Sequence, residues 1–202
     1  MNFRQFDLEN KGKEHEGFGY RSMTLSHLST CRRIPKRDAS KCIHCDAIAK
    51  QHFEDGLIVF KGIGNLNFQM VLKSELGHIE RRTGNSTQAR LIYQDTLKGW
   101  QEMGNRSAIA NQLECFGFLA IADEEPQRTI KLFSAAEALR EKIESPMNDY
   151  ERVEYDRSVA RLRSMLAEAE FNTIWGEGRS MTMEQAIEYA LATDASRSGC
   201  NG

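Results

Sequence analysis

The tightest cluster of chemistry-bearing residues is Cys42-Ile-His-Cys45, with Cys31 before it and His52 after it. A Cys-x-x-Cys pair can place two thiolates on one tetrahedral zinc ion, and Cys31 with His44 or His52 would complete the four ligands. A specific zinc signature has two such tight pairs at a regular interval, and the second pair is missing. Thioredoxin-like exchange between Cys42 and Cys45 needs a strand followed by a helix, which helical surroundings do not offer. Cys31, Cys42, Cys45, Cys115 and Cys200 are an odd, irregularly spaced set in a chain long enough to fold without a disulfide framework. They are read as reduced thiols, and no metal or cofactor is assigned.

Other candidates carry less. Arg32, Arg33, Lys36, Arg37 and Lys41 could contact phosphates, but Asp38 interrupts them and no aromatic residues are interleaved to stack bases. With 27 Lys and Arg against 29 Asp and Glu, the net charge of −2 sets up no global field toward nucleic acid, and the stretch reads as a solvated linker. His78 with Glu75, and Glu151 with Glu154, are spaced three apart as on any exposed helix face, with no third member to make a catalytic set. No Gly-x-x-x-x-Gly-Lys-Ser/Thr stretch is present to cradle phosphates. The chain is therefore read as non-catalytic.

The elements behind these residues are helices. Ala49, Phe53, Leu57, Phe60, Ile63, Gly64, Asn65 and Gly77 recur forty residues later as Ala89, Tyr93, Leu97, Trp100, Met103, Gly104, Asn105 and Gly117. A third copy keeps Thr129, Phe133 and Ile143 but has Glu137 and Arg140 at formerly apolar places. Apolar spacings of three and four, punctuated by Gly-Asn at 64–65, 84–85 and 104–105, predict helices at 20–34, 45–63, 67–83, 86–103, 106–122, 127–144, 149–168, 169–177 and 183–192. Thr182-Met-Glu-Gln185 fits a capping box, and Pro126 falls in the first turn of its helix. Gly176 and Gly178 would form the turn between the last two helices. Glu177, Glu184 and Glu188 argue against a DNA-reading helix-turn-helix there and for capping helices with a polar outer face. No window approaches the roughly 18 to 20 apolar residues of a membrane span, and the opening residues are polar and mixed in charge, which points to a cytoplasmic chain.

Leu76-Gly77, Gly84-Asn85, Ala89, Tyr93 and Leu97, followed by Phe116-Gly117, Thr129, Phe133 and Ala136, resemble tetratricopeptide repeats. Their forty-residue period exceeds the usual thirty-four of the family. The stretch from about Ala47 to Leu191, including Phe133-Ser-Ala-Ala-Glu-Ala-Leu-Arg140 and Trp175-Gly-Glu-Gly-Arg-Ser-Met-Thr-Met-Glu-Gln-Ala186, is similar to the C-terminal helical segment of large bacterial ATPase- or cyclase-type transcriptional regulators. The resemblance implies an all-α, tetratricopeptide-like α-solenoid of antiparallel helix pairs. It divides the chain into an irregular segment at 1–46, repeats at 47–144, capping helices at 145–194 and a disordered tail at 195–202. It also implies protein interaction in signalling or transcriptional control, with a protein or peptide ligand, or an upstream regulatory domain, as partner. Residues 1–46 depart from the pattern.

In that geometry the first helix of each pair lines a concave groove. Counted from the Leu-Gly and Phe-Gly landmarks, the lining is Val71, Ser74, His78, Arg81 and Arg82, then Asn111, Glu114, Phe118, Ile121 and Ala122. A basic segment beside an apolar one suits an amphipathic helix or extended peptide with acidic and hydrophobic anchors. A plainer reading has Arg81 and Arg82 answering the helix dipole, and Phe118 and Ile121 packing on a neighbouring helix. Two alternatives stand beside the binding module. One is a fragment that self-associates through a face exposed at Phe53, Leu57 and Phe60; the other is a small zinc- or nucleic-acid-binding helical protein.

Overall fold

In the computed structural model, residues 43–192 are described. The helix expected at 20–34, Cys31, Cys42, the basic stretch and the tail at 195–202 lie outside the described residues, as do the side chains of His44 and Cys45. Every regular element among the described residues is an α-helix: α1 (Ile43–Gly62), α2 (Leu66–Arg82), α3 (Ser86–Glu102), α4 (Arg106–Ala122), α5 (Pro126–Lys142), α6 (Asp149–Met165), α7 (Glu168–Arg179) and α8 (Met183–Leu191). None of them is long and apolar enough to cross a membrane.

Four consecutive helices, α2 to α5, begin at 66, 86, 106 and 126. One turn, used repeatedly, explains the even spacing. Gly64, Gly84 and Gly104 take the left-handed conformation (φ 71°, 87° and 67°), and so do Glu124 and Glu144 (φ 59° and 52°). At each of these sites the next residue's N–H reaches back five residues: Asn65 to Phe60, Asn85 to Glu80, Asn105 to Trp100, Glu125 to Ala120 and Ser145 to Arg140. This is the hydrogen-bond pattern of a Schellman stop, which satisfies carbonyls at the helix end. Asn65 and Asn105 then cap the following helix, their Oδ1 atoms accepting from the amides of Phe68 and Ala108. The two glutamates hold a conformation that normally favours glycine, so packing around the turn overrides local preference there.

The described residues fall into two compact units, divided between Leu72 and Lys73. In the first, Phe53 is buried, Phe60 stacks on Phe68 with ring centroids 4.7 Å apart, and Gln69 Nε2 donates to the Phe60 carbonyl. Of the three residues expected to be exposed, Phe53 is buried and Leu57 and Phe60 are half-buried. The apolar residues more than half exposed here are Ile58, Val59, Ile63 and Leu66. α1 begins at Ile43, two residues before the start expected at 45.

In the second unit α4 packs against α3 and α5, α5 against α7, and α8 against α5 and α4. Tyr93, Leu97, Leu113, Phe116, Ile130 and Phe133 are completely or almost completely buried. Gly77 lies under Tyr93 and Gly117 under Phe133. A Cβ at 77 would stand 2.5 Å from Tyr93 Cε1, and one at 117 would stand 2.5 Å from Phe133 Cδ1. Gly176 and Gly178 do not form the expected turn, because α7 continues to Arg179. Gly178 is used for packing: a Cβ there would collide with Ser134 and Lys131 of α5. The chain turns at Ser180 to Thr182, and the capping box on Thr182 and Gln185 forms as expected.

α6 is held differently. It ends at Met165 rather than 168, where Leu166 and Ala167 become extended, and only Tyr155 and Leu162 of its 17 residues are buried. These two join Ile130, Phe133, Met147, Phe171 and Ile174 in one cluster. Each such anchor contributes roughly 1.5–3 kcal/mol before ordering costs.

Gly117→Ala should destabilise the fold by about 1–3 kcal/mol through overpacking against Phe133. Gly176→Ala, on the same kind of backbone with nothing within 4 Å of its Cβ, should stabilise it by about 0.5–1 kcal/mol. Urea titration of both variants checks the contrast, and equal effects would mean that the close approach at 117 is unimportant.

Candidate functional site

Helical spacing brings Ser74, His78 and Arg81 to one side of α2, and Asn111, Glu114, Phe118 and Ile121 to one side of α4. Their polar groups are engaged, save Arg81 Nε, which is buried with no acceptor. Ser74 Oγ accepts from Trp100 Nε1 (3.4 Å) and Gln112 Nε2 (3.3 Å), while Gln112 Oε1 accepts from Thr96 Oγ1 (2.8 Å). His78 Nδ1 lies 3.1 Å from the Tyr93 hydroxyl and 3.8 Å from Cys115 Sγ. Buried polar groups are tolerated only when satisfied in this way.

Toward the C-terminal end of α2 the partners come from α6. Arg81 donates from both terminal nitrogens to Glu154, at 2.8 and 2.9 Å, and its guanidinium lies 4.7 Å over the Phe118 ring. Burial works against the Arg81 charge, but Glu154 outweighs it, so the guanidinium pKa is raised. Asn111 Nδ2 donates to Glu151 Oε1 at 3.0 Å. Tyr155 Oη donates to the Phe133 carbonyl, and burial pushes that phenol well above its ordinary pKa. Phe118 meets Phe133 edge-on at 5.1 Å, and with Ile121 it packs against the cluster that contains Tyr155 and Leu162. Arg82 and Ala122 are exposed, and Val71 is half-buried in the first unit.

Seven of the ten residues that the groove pattern selects therefore share one face within the second unit, and part of that face is covered by α6. The plainer reading holds for Phe118 and Ile121, which pack internally; Arg81 and Arg82 stand in the last turn of α2 as that reading has them, and Arg81 also pairs with a carboxylate on a distant helix. Glu151 and Glu154 look like an ordinary exposed pair in sequence, yet both cross to this face. The signal available was their three-residue spacing directly before Tyr155, a residue type that seeks burial.

Arg140 and Glu137, the polar departures from the third repeat copy, also acquire reasons. Glu114 accepts from Arg140 Nε (2.5 Å) and Nη2 (3.0 Å), with side-chain exposures of 3% and 10% for Glu114 and Arg140. Glu137 accepts from Arg179 of α7 at 3.1 Å. Burial holds the Glu114 carboxyl above its usual range, with Arg140 pulling the other way.

Cys115 and His78 are residue types that could form a nucleophile and base. Cys115 is only 2% exposed, however, and Tyr93 shares the same imidazole nitrogen, so the pair is closed to a substrate in this arrangement. Among the described residues no three His, Cys, Asp or Glu side chains are grouped to hold a metal ion. No family model matches the chain, and no curated protein or solved structure matches it either.

Arg140→Met should cost about 3–5 kcal/mol, because Glu114 is left buried without its cation. With a folded pKa raised above its unfolded value, Glu114 binds its proton more readily in the native state, so its contribution to stability falls as pH rises above the ordinary carboxylate pKa. The loss in Arg140→Met should accordingly be smaller at pH 5 than at pH 7.5, and adding Glu114→Gln should recover part of it. Denaturant melts at the two pH values check this, and a pH-independent penalty would show that the pair is not effectively buried.

Proposed function

We propose that this chain is a non-catalytic protein-interaction module built from tetratricopeptide-like helix pairs, α2 with α3 and α4 with α5. In this reading it is an α-solenoid with a forty-residue period that works in bacterial signalling or transcriptional regulation. The repeated turn and the matching contacts of Gly77 with Tyr93 and Gly117 with Phe133 support the repeat. The observation that carries the binding role is the way the face of α2 and α4 grips α6. A half-buried arginine takes a carboxylate bidentately, an asparagine takes a second carboxylate, and an apolar patch beside them receives an aromatic residue. That combination is how an amphipathic helix is held in a groove. The binding residues are Ser74, His78, Arg81, Asn111, Glu114, Phe118 and Ile121, with Arg82 at the margin.

Affinity capture with the native chain and with Arg81→Glu, Arg82→Glu, Phe118→Ala combined tests the reading, once circular dichroism shows equal helix content. A specific protein should be retained by the first and lost by the second, and its purified form should bind with the same difference. Identical capture by both would remove these residues from any binding role.

Self-association is a second reading, favoured by Ile58 and Ile63, which are 70% and 67% exposed in the first unit. Sedimentation over a wide concentration range should then show dimers that Ile58→Glu with Ile63→Glu dissociates. A native chain that stays monomeric throughout would exclude this reading.

A further inference from the structure

We propose that α6 is a built-in occupant of the binding face, and that the outside partner is an amphipathic helix that displaces it by repeating its contacts. The partner would present two carboxylates three residues apart with an aromatic residue directly after the second, as in Glu151-Arg-Val-Glu154-Tyr155. The inference rests on the reading of this face as a docking surface, and adds the chemistry of the ligand and its control.

Four observations converge on it. First, α6 stands outside the regular succession of helices. The turn at Glu144 would start another helix at 146, but the chain runs through Pro146 without one, and it is α7 that packs broadly on α5, with Gly178 set against Lys131 and Ser134. Second, α6 is lightly attached: Tyr155 and Leu162 are its buried residues, while Tyr150 and Val153 are 60% and 61% exposed. Third, it is bounded on both sides by non-helical backbone, at 143–148 and at Leu166–Ala167, so it can leave while α5 and α7 stay packed. Fourth, it satisfies the face incompletely. Arg81 gives both terminal nitrogens to Glu154, but its Nε is buried with no acceptor. A ligand helix that brings one acceptor more would gain a charge-assisted hydrogen bond that α6 leaves unmade.

An occupant in the same chain lowers the apparent affinity of an outside ligand by the fraction of time the face is open. Weakening α6 must therefore strengthen binding, without any change to the face itself. The probe is a synthetic peptide spanning Pro146 to Leu166, titrated into the full chain and compared with a scrambled peptide. Glu151→Gln with Glu154→Gln in the chain should tighten peptide binding by about ten-fold or more. Arg81→Glu in the chain should abolish binding of the native peptide, and a peptide carrying Glu154→Arg should restore it. Unchanged peptide affinity after the two glutamine substitutions, or no rescue by the charge-swapped peptide, would overturn the proposal.

Hydrogen exchange on the native chain keeps the test independent of those variants. Amides of α6 should exchange through local opening, while those of α4 and α5 exchange only with global unfolding. Equal protection in α6 and α4 would also overturn the proposal. If the peptide behaves as expected while capture ignores Arg81 and Phe118, the displaceable helix stands and the interaction module falls. If capture depends on Arg81 and Phe118 but is unaffected by Glu151→Gln with Glu154→Gln, the module stands and the displaceable helix falls.

Discussion

Tyr93 resting on Gly77, and Phe133 resting on Gly117, set the spacing on which the second unit depends. A ring placed where a Cβ would otherwise stand brings α2 close to α3 and α4 close to α5, closer than any side chain at 77 or 117 would permit. Dense packing then follows around the rings, with Leu97, Leu113, Phe116 and Ile130 buried beside them. The same contact determines what the other side of each helix can do. Because Gly77 and Gly117 fix how α2 and α4 are rotated, His78 meets Tyr93, Arg81 meets Glu154 and Asn111 meets Glu151. A functional surface built on helices inherits the precision of the packing beneath it.

The interior is more polar than the repeat pattern suggests. Ser74, Thr96, Gln112 and His78 are all buried, and each finds a partner on a neighbouring helix. Such a network is costly when broken and insensitive to small adjustments when complete, so it favours one arrangement of α2, α3 and α4 over alternatives of similar hydrophobic content. The Glu114–Arg140 pair does the same for α4 and α5. It is a weak source of net stability, since desolvation offsets most of the attraction, but it makes misaligned packing expensive.

The contrast between α6 and α7 shows how two adjacent helices take different roles. α7 uses the bare backbone at Gly178 to press against Ser134 and Lys131 of α5. α6 relies on two buried anchors and on charged groups at the rim, where Glu154 remains half-exposed.

Helix content, the positions of the breaks and the aromatic–glycine landmarks follow from the sequence, because they depend on local chemistry: a glycine for a left-handed stop, an asparagine for a cap, apolar residues every three or four positions. Which residues share one side of α2 and of α4 was legible for the same reason, as helical periodicity alone assigns them. Three things were decided only by tertiary structure. Glu124 and Glu144 adopt a conformation that their own preferences oppose, Gly176 and Gly178 stay inside a helix that glycine would ordinarily end, and Glu151 and Glu154 reach residues some forty and seventy positions earlier in the chain. Each of these depends on which surfaces meet across long stretches of sequence. Local propensity carries no record of such meetings, so the contacts of α6 with α2 and α4 become visible only once the helices are packed.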